Sequence, residues 1–320
     1  MADNGVLKTR KTNRTILHLF DYDGCIGNFG GEKFSAEEQL ERIKPFLDEI
    51  KAADPENHET FVGVGSARQS YRNDVYCKQY NNTTSCFGLY QAISDYWGAT
   101  FDTFLMADAL GNLSNGRSLS RAINPNYIGK HEGWHFDESK ISLLYARIHR
   151  AAAANPDGEV IVHFYDDRDD ILSVLDDFFI SNYDLLPPNV EISLHRYIRA
   201  HEVFDVEEDF VLYQTFYPDP DVSLGIDENY KETAKIVGEF ITSHSVSKED
   251  GIYPPDLEII INLPLADEIR KARAPQLNAA SELTPAMASL SLLLATEESE
   301  EEYEDESEDN VVEIERRHSF

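Results

Sequence analysis

Along this chain, short apolar runs alternate with segments in which apolar residues recur every three to four positions. Thr15 to Phe20 (TILHLF), Phe61 to Gly65 (FVGVG), Val160 to Tyr165 (VIVHFY) and Val190 to Tyr197 (VEISLHRY) are of the first kind and predict strands. Ser35 to Ala53, Glu138 to Ala153 and Ile171 to Phe179 are of the second kind and predict helices. Ser35, followed three residues later by Glu38, reads as a capping box. In the second helix Ile141, Leu144, Tyr145 and Ile148 form the buried stripe. Continuous apolar strands separated by helices predict an α/β fold, a doubly wound, mainly parallel, Rossmann-like sheet covered on both faces.

Composition changes the picture at the two ends. Residues 1–14 form a polar arm with Lys8, Arg10, Lys11 and Arg14, and the folded domain is expected over 15–275. Residues 276–296 read as a linker. From Glu297 to Asn310, 10 of 14 residues are acidic, too few apolar groups to offset the entropy of ordering, so 297–320 read as a disordered acidic tail. Within the domain, Ile26 to Lys33 suggests a flap, and the stretch NNTTSCFGLYQAISDYWGATFDTF, rich in aromatics, is expected to supply a partial lid within 77–135. Residues 200–275 suit either extra strands or an accessory layer.

The formal charge is −31, of which −10 lies in residues 297–320, so the folded part is acidic as well. Affinity for nucleic-acid phosphate comes from Lys and Arg displacing counterions, so general nucleic-acid binding is disfavoured. Three cysteines, Cys25, Cys77 and Cys86, make no disulfide framework and lack metal-site spacing, which suits a reducing compartment. No run reaches the roughly 18–20 apolar residues of a membrane span, and the N-terminus is not of signal-peptide type, so the expectation is a cytoplasmic protein.

In open α/β sheets ligands bind beyond the carboxyl ends of the strands. Here those ends read Asp21-Tyr22-Asp23-Gly24-Cys25, Gly65-Ser66-Ala67-Arg68 and Asp166-Asp167-Arg168-Asp169-Asp170. Carboxylates brought together raise one another's pKa unless a cation sits among them, and hard oxygen ligands with water suit Mg²⁺. Lys140, at a predicted helix start, would add a positive point charge, with Lys130 as the rival lysine. Arg68 could bind a substrate phosphate or pair with surface acids.

On these residues the chain resembles the haloacid dehalogenase-like (HAD) phosphohydrolases. Their DxDx[TV] motif looks like Asp21 to Cys25, with Cys25 in place of the usual Thr or Val. Their small hydroxyl residue after an apolar strand looks like Ser66, their lysine at a helix start like Lys140, and their acidic pair with a further acid like Asp166, Asp167 and Asp170. The resemblance covers residues 15–175. It implies a Mg²⁺-dependent phosphomonoesterase in which Asp21 is phosphorylated and Asp23 moves the proton of the leaving group and then of water. Ser66 and Lys140 would stabilise the phosphoryl group. Asp21, the Asp23 carbonyl and Asp166 or Asp167 would hold the metal, Asp170 would steady Lys140 or a metal-bound water, and Gly24 and Arg68 would lie against substrate.

A site without a full cap would admit a phosphoprotein, phosphotyrosine in particular. Three other readings stand beside this one: a polynucleotide phosphatase, a non-catalytic scaffold whose acidic tail binds a basic partner, and a glycosyltransferase using Asp21-Tyr22-Asp23 as its metal motif. The glutamate-rich C-terminus is similar to export signals of bacterial type IV secretion effectors, which implies translocation into a host cell; the competing reading is a solubilising tail.

Overall fold

In a computed structural model of the chain, the residues described are 13–27, 33–56, 58–80, 84–124, 137–199, 207–248, 251–253, 255–275 and 277. The chain divides into Met1–Arg273 and Ala274–Phe320, and the fold below is that of the first unit. The arm up to residue 12, flap positions 28–32, segment 125–136, most of the linker and the acidic tail lie outside the described residues.

Six strands form one sheet: β1 (Arg14–Phe20), β2 (His58–Val64), β3 (Thr100–Asp102), β4 (Glu159–Asp166), β5 (Val190–Ile198) and β6 (Asp209–Phe216). Their order is β3-β2-β1-β4-β5-β6. The first five are parallel and β6 runs antiparallel to β5. The principal helices are α1 (Ala36–Ala53), α2 (Tyr71–Tyr80), α3 (Phe87–Trp97), α4 (Met106–Leu110), α5 (Arg117–Ala122), α6 (Ile141–Ala154), α7 (Asp169–Ser181) and α8 (Tyr230–Ser243). The expected α/β class with a mainly parallel sheet is therefore observed. Among the described residues no helix is long and apolar enough to cross a membrane.

Alternation along β1 feeds two cores, because successive side chains point to opposite faces. Leu17 and Leu19 pack with Val160, Val162 and Phe164 of β4 and with α6 and α7. Phe20 packs on the other face with Val62 and Val64 of β2, Tyr165 of β4, and α1 and α3. Ser35 caps α1 with the reciprocal Ser35–Glu38 bonds its spacing predicts.

Within the aromatic segment expected to form a partial lid, the described α3 residues Phe87, Tyr90 and Trp97 are core. Phe87, Leu89, Tyr90, Ile93 and Trp97 are buried in the α1/α3 layer, because their near-helical spacing puts them on one side of α3, facing the sheet. Residues 200–275 contribute both things the sequence allowed: β6 extends the sheet, and α8 packs Val237 and Ile241 onto the α6/α7 core.

Candidate active site

β1, β2 and β4 end level with one another. Phe20 pairs with Val64 on one side and Tyr165 on the other, so Asp21, Gly65 and Asp166 leave the sheet side by side. The Asp21 N–H donates to the Tyr165 carbonyl and the Gly65 N–H to the Phe20 carbonyl, each at 2.8 Å. A Cβ on Gly65 would stand 2.8 Å from that Phe20 oxygen, so glycine is what lets the two strand ends approach.

After Asp21 the chain makes a single π-type turn, Tyr22–Ile26, closed by the Gly27 N–H donating to the Tyr22 carbonyl at 2.7 Å. Gly24 within it has φ +89°, and a Cβ there would lie 2.3 Å from Asp167 Oδ2. The glycine thus serves the left-handed backbone and leaves room for the Asp167 carboxyl.

Lys140 joins the carboxylates. Its Nζ donates to Asp21 Oδ1 at 2.6 Å and to Asp166 Oδ2 at 2.5 Å, with all three side chains nearly buried. Burial alone would lower the lysine pKa, but the Asp166 and Asp21 carboxylates outweigh it and hold the ammonium above its usual value. Asp21 is pushed up to about 8, first by burial; Lys140 opposes this, while Asp166, Asp167 and Asp23 add to it. Asp167 is pushed up to about 6, by burial and then by Asp166. Burial likewise drives the Cys25 thiol up, so it sits beside the acids as a protonated, packed group.

Lys140 lies just before α6 with φ +61°, so the helix starts at Ile141 and not at Glu138 as the periodicity predicts. Asp137, which sequence reasoning passes over, makes that turn. Its Oδ1 accepts from the Ser139 N–H (3.0 Å) and hydroxyl (2.5 Å), and its Oδ2 from the Ser142 N–H (2.9 Å) and hydroxyl (2.8 Å). The Lys140 N–H donates to the Asp137 carbonyl at 3.0 Å. An Asp two residues before a Ser is an Asx-turn signature and was the available signal. Further along, Arg147 anchors α6 to Asp102 at the end of β3, at 2.6 Å.

The run Asp166–Asp170 divides by direction. Asp166 and Asp167 face the site. Asp169 pairs with Arg196 at 3.0 Å. Asp170, expected to steady Lys140 or a metal-bound water, is exposed and accepts two bonds from Arg168, at 3.0 and 2.6 Å, and one from the Ile171 N–H at 3.1 Å. The reason is that α7 begins at Asp169, which turns the later acids outward.

Ser66 is buried at the end of β2, one residue past Gly65, in a loop braced by Gln69, whose Nε2 donates to the Val64 and Ser66 carbonyls. Arg68, expected against substrate, is fully buried and grips Asp23 with two bonds, Nη2 to Oδ1 at 2.6 Å and Nε to Oδ2 at 2.9 Å. Lys130 lies outside the described residues.

The expectation of Mg²⁺ at this edge concerns Asp21, the Asp23 carbonyl and Asp166 or Asp167. Mg²⁺ keeps several waters and is usually held by one or two carboxylates, which Asp21 and Asp166 supply, with Asp167 and the Asp23 carbonyl on the adjoining turn. Among the described residues no group of three or more His, Cys, Asp or Glu side chains is arranged to hold a metal ion. Compared with models of protein families, with curated proteins and with solved structures, the chain matches none.

Proposed function

We propose that this chain is a Mg²⁺-dependent phosphomonoesterase of the haloacid dehalogenase-like kind that works through a phosphorylated Asp21. The observation that carries the reading is the ammonium of Lys140 shared by Asp21 and Asp166 at the carboxyl edge of a parallel sheet. A cation beside Asp21 would favour its ionised form over the protonated one, leaving one oxygen steadied by Lys140 and the other available as a nucleophile, and covalent capture divides one difficult displacement into two easier ones. Lys140 offsets the charge that develops as the phosphoryl group transfers, and the Ser66 hydroxyl donates to a phosphoryl oxygen. A divalent cation held by Asp21, the Asp23 carbonyl and Asp166 or Asp167 would supply the positive charge that lets an anionic nucleophile approach a phosphate dianion.

Phosphate release from p-nitrophenyl phosphate tests this reading. The wild-type protein should release phosphate only with Mg²⁺, and Asp21→Asn should fall to the uncatalysed background. Undiminished release by folded Asp21→Asn removes the mechanism.

A further inference from the structure

The grip of Arg68 on Asp23 narrows the chemistry beyond the general phosphatase reading. Asp23 stands two residues after the nucleophile, where the resemblance implies a proton donor for the leaving oxygen. Yet both of its carboxyl oxygens accept hydrogen bonds from one guanidinium, the two-point geometry that is the strongest available to this pair.

Arg68 is itself held in place. Its Nη1 donates to Asp74 Oδ1 at 3.2 Å and to the Thr84 carbonyl at 2.9 Å, and its guanidinium carbon lies 4.4 Å over the Tyr22 ring. The Tyr22 hydroxyl is fixed in turn by Gln39 and Thr84, at 3.1 and 3.2 Å. Releasing Asp23 would strip a buried guanidinium of two acceptors, which is costly. Asp23 is therefore a partner of Arg68, and both of its carboxyl oxygens are engaged by that guanidinium.

We infer that Arg68 makes this site selective for phosphate esters of phenols over those of aliphatic alcohols. The inference rests on the phosphatase reading above. In the first step an Asp21 oxygen bonds to phosphorus, the phosphorus–aryl oxygen bond breaks, and its electron pair leaves on oxygen as phenoxide, which takes a proton from water. In the second step a water oxygen bonds to phosphorus, the bond to Asp21 breaks and returns the carboxylate, and the water's protons stay with the released phosphate or pass to solvent. A phenol, with pKa about 10, departs without a proton far more readily than an aliphatic alcohol, whose alkoxide is much the stronger base. Help from a general acid is worth about 10²–10⁴-fold, and aliphatic esters are the ones that forgo it here.

The test compares kcat/KM for two peptides of one sequence, one carrying phosphotyrosine and the other phosphoserine, together with a series of substituted phenyl phosphates. The wild-type protein should favour the phosphotyrosine peptide by about 10²-fold or more, and its rates should climb with the acidity of the phenol. Arg68→Met, which frees Asp23, should narrow the peptide ratio at least tenfold by raising phosphoserine turnover. Because removing a buried arginine threatens folding, Arg68→Lys is measured beside it, and the wild-type dependence on leaving group decides the matter without any variant. Equal turnover of the two peptides, lost in Asp21→Asn, overturns the selectivity and leaves the phosphatase reading standing. A folded Arg68→Met with an unchanged ratio overturns it as well. No Asp21-dependent turnover of any ester overturns the phosphatase reading and the inference together.

Discussion

Lowering the pH from 7.5 to 5.0 should remove about 2 kcal/mol of stability through His149 alone. His149 is fully buried on α6. Its Nδ1 accepts the Asp227 N–H at 3.0 Å, and its Nε2 donates to the Leu185 carbonyl at 2.9 Å. A neutral ring with its proton on Nε2 satisfies both bonds, whereas a proton on Nδ1 would face another donor. Burial, and then the Arg273 charge, push His149 down to about 3. Below the ordinary imidazole value of 6.5 the unfolded chain takes a proton that the folded chain refuses. The contribution of His149 is therefore complete above pH 6.5 and falls as the pH drops toward about 3. At pH 5.0 the gap of about 1.5 units, at 1.36 kcal/mol each, gives the 2 kcal/mol.

Urea unfolding of the wild type and of His149→Gln at both pH values isolates this contribution, because the carboxylates and the other histidines cancel in the double difference. Glutamine offers an acceptor and a donor but does not titrate. The variant should lose about 2 kcal/mol less than the wild type on acidification, whatever its stability at pH 7.5. Losses that agree within about 0.5 kcal/mol, the usual limit of additivity, would refute the reasoning.

Two further predictions concern the candidate site. Lys140→Met leaves Asp21 and Asp166 buried without their ammonium and should cost about 3–5 kcal/mol in urea unfolding at pH 7. A folded Lys140→Met whose unfolding free energy at pH 7 equals that of the wild type would contradict the assignment. Gly24→Ala puts a Cβ on a left-handed backbone and against Asp167, and should lower stability by about 1–3 kcal/mol; an unchanged thermal midpoint would show that the turn is not built this way.

The parts of this fold legible in the sequence are those that local periodicity controls. Runs such as VIVHFY and the stripe Ile141, Leu144, Tyr145, Ile148 identify strands and helices because side-chain direction repeats every two residues in one and every 3.6 in the other. Strand ends follow from the same runs, so Asp21, Ser66 and Asp166 were recognisable as residues of the sheet's carboxyl edge. The aromatics of α3 were misjudged because exposure and burial of an apolar helix face look alike until something is packed on it. Phe87, Tyr90 and Trp97 belong to the core only because α3 lies on β2.

What the chain alone determines about this protein is thus an acidic α/β domain with carboxylates at several strand ends, since charge and periodicity are properties of sequence. Which acids meet was decided by tertiary structure. The same DDRDD run sends Asp166 and Asp167 inward and Asp169 and Asp170 outward, because β4 ends and α7 begins within it. Lys140 reaches Asp21 across 119 residues only because Asp137 turns the chain and Asp102 anchors the helix behind it. Arg68 turned from a possible phosphate ligand into the partner of Asp23 for the same reason: a charged side chain has many acceptors within reach in sequence, and only the packed chain selects among them.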